Sequence, residues 1–177
     1  MPRMEIDLDP VSHITVDAIG RPGQRVFYLQ GWTEDDPQPV TIIIEKIQLQ
    51  TLIVGLQQML LELSRREPRL AIPPADYDED KMHIHPPVDP LFRAGEMGLG
   101  YDSERDLVAL LTRELVSDEE NDEEAAVVRF WFTRRQAMQL IAWGLEVIQR
   151  GRPICPQCGQ PIDPEGHFCP KKNGHKK

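Results

Sequence analysis

The hydrophobic residues of the first ninety positions change period twice, and each change marks an element. Residues 14–18 are rich in β-branched side chains and run into a turn signal, Gly20-Arg-Pro-Gly23. That pattern predicts a hairpin whose return strand is residues 26–30. A polar break at residues 34–39 precedes the unbroken apolar run Val40–Ile44, which suits a strand covered on both faces. From Glu45 the period becomes helical: Leu52, Ile53, Leu56, Met59, Leu60 and Leu63 share one stripe. Arg65 and Arg66 complement the dipole of its last turn, and Pro68 stops it.

The second half repeats the scheme. Residues 92–100 and 107–115 read as hairpin strands around a polar turn, and an acidic loop at 117–124 leads into a third strand at 127–132. Thr133 followed by Gln136 is a capping-box signature. Ala137, Leu140, Ile141, Gly144 and Ile148 then share a helical face. Gly151 occupies the place of a left-handed C-terminal cap, and Pro153 bars continuation. The expected fold class is therefore α+β: two βββα halves, a possible internal duplication, forming an antiparallel sheet packed by two helices related by a pseudo-twofold, plus a small C-terminal zinc hairpin. The expected organisation is a first half at 1–66, a proline-rich connector at 67–91, extended and lying on the surface, a second half at 92–150 packing with the first as one domain, and a terminal module at 151–177.

Charge sharpens this picture. Of the chain's net −9, residues 150–177 contribute +4, from Arg150, Arg152, Lys171, Lys172, Lys176 and Lys177 against Asp163 and Glu165, which leaves −13 on residues 1–149. An acidic body repels phosphate backbones, so nucleic-acid binding is disfavoured except at the basic tail. No apolar run reaches the length of a membrane span, and the N-terminus has no signal-peptide core, so the expected setting is cytoplasmic.

The chain's three cysteines all fall in the last 23 residues. Cys155-Pro-Gln-Cys158-Gly159 is a zinc-knuckle spacing, and His167 and Cys169 would point the same way on an extended arm. Cys155, Cys158, His167 and Cys169 make a three-sulfur, one-nitrogen set suited to one tetrahedral Zn2+, with His175 a competing fourth ligand. A redox Cys-x-x-Cys lacks its usual setting at a helix start in a βαβ unit. Four good ligands close a site, and so short a module has little core of its own, so the zinc is expected to be structural, worth on the order of 10 kcal/mol to such folds. His83-Ile-His85, beside Asp76, Asp78, Glu79 and Asp80, is a candidate second metal cluster, weighed against solvated loop residues.

Further residues carry a resemblance. Gly20-x-Pro-Gly23-x-Arg25-x-Phe27-Tyr-Leu-Gln30, Phe92-Arg-Ala-Gly95-x-Met97-x-Leu99-Gly-Tyr101-Asp102, Val128-Arg-Phe-Trp131 and Cys155-Pro-x-Cys158-Gly through Gly166-His-x-Cys169-Pro stand in this order. The chain resembles a bacterial conserved-hypothetical family, a domain of unknown function found in Actinobacteria and Chloroflexi. The resemblance implies a cytoplasmic protein with the terminal cysteine–histidine module, encoded near a histidine-phosphatase-like protein, and it implies no activity.

Two functions are weighed. One is a non-enzymatic interaction or adaptor protein whose acidic body carries a structural zinc hairpin and presents a basic tail to a protein partner. The other is an enzyme acting on a phosphorylated or other anionic small molecule. It would use an arginine-lined pocket drawn from Arg25, Arg93, Arg129, Arg134 or Arg135, with Asp102 as base.

Overall fold

The computed structural model describes residues 3–117, 122–151 and 157. Seven strands among them form one sheet: β1 (Glu5–Leu8), β2 (His13–Ile19), β3 (Val26–Trp32), β4 (Val40–Ile44), β5 (Pro90–Asp102), β6 (Leu107–Glu114) and β7 (Val127–Phe132). Two long helices, α1 (Lys46–Arg66) and α3 (Arg134–Arg150), follow β4 and β7, and a one-turn helix, α2 (Glu79–Met82), lies in the connector. The fold is mixed α+β, as the hydrophobic pattern predicts.

The spatial order is β1-β7-β6-β5-β4-β3-β2. Within each half the strands are antiparallel, but β4 pairs β5 in parallel and β1 pairs β7 in parallel, so the sheet is mixed rather than antiparallel throughout. The parallel β4–β5 junction also decides how the halves are related. A twofold across the sheet would place β4 beside β7 running the opposite way. Instead β2-β3-β4 and β5-β6-β7 stand side by side in the same sense, a repetition along the sheet.

The sheet curls until its two edges are bridged by the short link between β1 and β2. There Val11 donates its backbone N–H to Trp131 O on β7 at 2.8 Å, and Ser12 donates to Trp32 O on β3 at 2.9 Å. A side chain at Gly31 on β3 would stand 3.1 Å from the Phe130 ring on β7, so glycine there permits the close approach. The Asp9–Pro10 peptide in the link is cis. β1 is the strand that hydrophobic periodicity misses. It has four residues, Glu-Ile-Asp-Leu, and takes its backbone partners from Val127–Phe130, far along the chain.

Leu29, Ile42 and Ile44 from the first half, Val108, Leu110, Phe130 and Phe132 from the second, and Leu49, Leu56, Leu140 and Trp143 from the helices are buried in one cluster. Both helices sit as their sequences dictate. Thr133 accepts the Gln136 N–H and Gln136 reciprocates, the capping box that starts α3. Gln48 reaches back to the Glu45 N–H at 2.7 Å to start α1. The helices cross where Gly144 meets Ile53 and Leu49.

Gly151 departs from expectation. Its φ of −84° and ψ of −5° are right-handed, so no left-handed cap explains it. A β-carbon there would fall 1.8 Å from the Arg25 guanidinium, which lies against the end of α3. The glycine makes room for Arg25, whose charge complements the carbonyl end of the helix.

Candidate functional site

Three places combine exposure with chemistry: the strip where the connector crosses the sheet, the separate arginine clusters, and the α1–β5 flank.

Most of the connector is exposed, as expected of a segment lying on the surface, but residues 82–85 are bonded to the sheet beneath them. On β2, β3 and β4 the pleat sends Val16, Leu29 and Ile42 to the core and Thr15, Gln30 and Thr41 to the opposite face, in the register Thr15↔Gln30↔Thr41. All three polar side chains are nonetheless buried, because residues 82–85 lie over them. Gln30 reads the connector backbone twice: Nε2 donates to His85 O at 2.9 Å, and Oε1 accepts the His85 N–H at 2.8 Å. Its Nε2 also donates to Thr41 Oγ1 at 3.0 Å. Thr15 donates to Met82 O, and Asp17 accepts the Ile84 N–H at 2.9 Å. Met82, 4% exposed, is thereby carried into the core cluster. A buried polar row demands partners, and the connector supplies them.

At the end of this strip a cavity of about 240 Å3 is bordered by Asp17, Arg25, His83, Trp143 and Arg150. His83 Nδ1 stands 3.1 Å from Asp17 Oδ2, its Nε2 stands 3.3 Å from Glu79 Oε2, and its ring edge meets Trp143 with centroids 5.0 Å apart. Both ring nitrogens face carboxylates, so neither is open toward the cavity for proton exchange with a ligand. Arg150 grips Glu79 through two nitrogens at 2.9 and 2.8 Å, and this pair, ahead of the His83 contact, holds the Glu79 carboxyl down at about 2. The group is a clamp: it fastens α2 to the end of α3. Trp143 completes it, donating Nε1–H to Val16 O on the outer edge of β2 at 2.6 Å.

His85 turns elsewhere. It packs edge-on against Trp32 and lies 5.8 Å, centroid to centroid, from His13, which itself stacks on Trp32 at 4.8 Å. His83 and His85 therefore serve different neighbours and do not form the second metal cluster that their spacing suggests. Among the described residues no group of three His, Cys, Asp or Glu side chains is arranged to hold a metal ion. Burial, and secondarily the charge of His85, pushes the His13 imidazole below its usual value, and its Nε2 is buried without a hydrogen-bond partner.

The five candidate arginines do not converge. Arg93 pairs with Glu45 at 2.8 Å, Arg129 approaches Glu5 and Asp7, Arg135 pairs with Asp76, and Arg25 lies at the end of α3. Arg134, 14% exposed, binds both oxygens of Asp106. That guanidinium holds the Asp106 carboxyl below the usual range, and Tyr101 adds a 2.7 Å hydrogen bond. Asp102 caps the turn between β5 and β6, accepting from Glu104 N–H and pairing with Arg105 at 2.8 Å. It is held by these bonds rather than poised as a base.

The remaining place is the flank of α1. An apolar cleft of about 310 Å3 runs between α1 and β5, lined by Ile47, Leu52, Met97, Leu99 and Leu110. Gly55, Gly95 and Gly98 are among its lining residues, and a β-carbon at Gly98 would touch nothing. β5 carries a register shift between Ala94 and Met97 at this point, and Gln48 from α1 satisfies the Ala94 and Gly95 carbonyls at 3.1 and 2.8 Å. Beyond the cleft the outer face of α1 consists of Ile47, Gln50, Thr51, Val54, Gln57, Gln58 and Leu61, all exposed. The three apolar members are 65%, 50% and 42% exposed and recur every seven residues. Over that span the face carries no charge, on a chain that is 28% charged. Spacing alone held this signal, and it was masked by the stronger buried stripe on the same helix.

The expected zinc ligands Cys155, Cys158, His167 and Cys169, and His175, lie outside the described residues, as do residues 118–121 of the acidic loop. No helix among the described residues is long and apolar enough to cross a membrane. No curated protein and no solved structure matches the chain. The model of one family, described as a protein of unknown function (DUF3090), matches residues 6–169, and the chain belongs to that family.

Proposed function

We propose that this DUF3090 member is a cytoplasmic, non-enzymatic interaction protein, an adaptor whose rigid body positions contact surfaces for other folded chains. The observation that carries the reading is the outer face of α1: exposed, apolar at every seventh residue and free of charge from Ile47 to Leu61. Charge depletion around exposed aliphatic side chains is what distinguishes the centre of a protein–protein contact from ordinary surface. The rest of the described body supports the same view. Asp17, His83, Glu79 and Arg150 fasten elements to one another, as do Arg134 and Asp106.

The C-terminal stretch completes the proposal. Cys155, Cys158, His167 and Cys169 are the donor set of a closed, structural zinc site, and the lysines after it form a basic tail suited to an acidic protein surface. A histidine-phosphatase-like protein of the same cell is the proposed partner. Calorimetric titration of the full chain into that protein tests the role. Saturable binding without turnover of the adaptor's own surface groups is expected. A full-length, zinc-loaded chain that binds no such protein but turns over a phosphorylated small molecule would overturn it.

A further inference from the structure

We infer that the cavity of about 240 Å3 at the end of α3 is a receptor for a small phosphate monoester, gripped between Arg25 and Arg150. The inference does not depend on the α1 surface; it adds a ligand to the body that carries that surface.

The hairpin between β2 and β3 delivers Arg25. Gly20 adopts a φ of +120°, and a β-carbon there would stand 2.7 Å from Gln24 O, so glycine lets the turn close. Arg25 leaves the turn with its guanidinium over the Phe27 ring, 4.8 Å from the centroid, and beside Gly151. Stacking occupies the flat face of the group and leaves free its edge, where the N–H donors lie. Among the described residues Arg25 has no hydrogen bond and no ion pair, and Asp17 acts on it only through space. Arg93, Arg134 and Arg135, by contrast, are each spent on a carboxylate. Burial, only partly offset by the Asp17 charge, pushes the Arg25 guanidinium below its ordinary value, so its charge is under-compensated where it stands.

Arg150 supplies the second grip. Its Nε and both terminal nitrogens each give one N–H to Glu146 or Glu79, which leaves one N–H on each terminal nitrogen. Asp17 is the one carboxylate among the lining residues. It is already turned to the Ala18 and Ile84 N–H groups and to His83. With His83 neutral, the wall carries one net positive charge, on a body whose first 149 residues carry −13. A local reversal of sign of that kind draws anions.

Size and valence select the ligand. A phosphate monoester carries about −1.5 to −2 charges near neutral pH and three strong acceptor oxygens, enough to engage two guanidinium groups at once. A carboxylate has one charge and two oxygens. The volume equals that of about eight waters at roughly 30 Å3 each, room for a phosphate and a short chain but not for a nucleotide. Ala18 and Pro22 give that chain an apolar wall. His83 and Asp17 face each other, so neither is free to activate water against the ester, and the ligand is held rather than cleaved.

Titration of the full chain with glycerol 3-phosphate tests this, followed by calorimetry and by the side-chain Nε–Hε NMR signals of Arg25 and Arg150. Wild-type protein binds one ligand per chain saturably, and both signals shift together. Inorganic phosphate binds at the same place more weakly, and glycerol does not bind. Arg25→Gln weakens binding by more than about tenfold. Arg25→Lys keeps the charge but loses the fork, and falls between the two. Arg93→Gln, which removes an exposed arginine paired with Glu45, leaves binding unchanged. Because Arg25 bonds to nothing else in the described chain, circular dichroism of its variants stays unchanged. The inference is overturned if neither phosphate saturates, if Arg25→Gln binds as well as wild type, or if acetate binds as tightly as glycerol 3-phosphate. Binding that shifts neither arginine signal, as at the lysines of residues 171–177, also overturns it.

Discussion

Replacing Gln30 with methionine isolates the hydrogen bonds that hold the connector to the sheet. Methionine matches the volume of glutamine and suits a buried strand position, so the cavity contribution is small. The amide it removes makes three hydrogen bonds of 2.8 to 3.0 Å in a site with no exposure. Two of them satisfy the His85 N–H and carbonyl, which no other bond in that strip replaces. Each buried group left without a partner costs about 1–3 kcal/mol, so the loss for the two is about 2–6 kcal/mol. That is a large share of the roughly 5–15 kcal/mol that holds an ordinary domain folded. Urea denaturation gives the total, and hydrogen exchange at the His85 amide gives the location. The variant should lose stability within that range, with exchange at residues 82–87 accelerating before the strands open. A loss under about 0.5 kcal/mol, or unchanged protection of His85, would show that the connector merely rests on the sheet.

The other expectations concern separate parts of the molecule. Because burial first, and His85 second, lower the His13 value in the folded state, the unfolded chain takes up the proton first on acidification. This contribution is constant above about pH 6.5 and is lost as pH falls from there through the lower folded value, so His13→Gln should flatten that part of a stability–pH curve measured by urea melts. Asp106, held low by Arg134, works in the acid range: its contribution is present above about pH 4 and is lost as pH falls through the depressed folded value, a slope that Asp106→Asn should remove. Trp143→Phe deprives the buried Val16 carbonyl of its 2.6 Å donor and should cost about 1–3 kcal/mol in the same melts. Native mass spectrometry of untagged protein should show one zinc per chain, removed by a strong chelator with loss of structure only in residues 151–177; a metal-free folded chain would exclude the zinc site.

Strands with β-branched runs and the two long helices were legible because their burial is written in the period of their own residues. The Thr133–Gln136 capping box is local and was read correctly to the residue. What escaped depends on partners distant in sequence. β1 is four residues of ordinary polarity, made into a strand by Val127–Phe130. Six prolines identify residues 67–91 as irregular but say nothing of what lies beneath them. The row Thr15, Gln30 and Thr41 becomes a row only when three strands are in register, and only then does the connector have something to bind. Gly151 looked like a backbone requirement and is a matter of space for Arg25. Likewise, arginines that sequence could group as an anion pocket are drawn to different carboxylates once the sheet curls. The α1 face was present in the sequence as a seven-residue repeat, but a helix alone does not say which of its stripes will face outward.

The central claim is that this outward stripe is a contact surface for another protein, and side-chain footprinting of Ile47, Val54 and Leu61 by hydroxyl radicals, in the full chain alone and mixed with the histidine-phosphatase-like protein, tests it most directly. The account predicts that all three label freely in the chain alone, as their exposures of 65%, 50% and 42% require, and become protected together when the partner is added. Labelling that follows those exposures whether or not the partner is bound would contradict it.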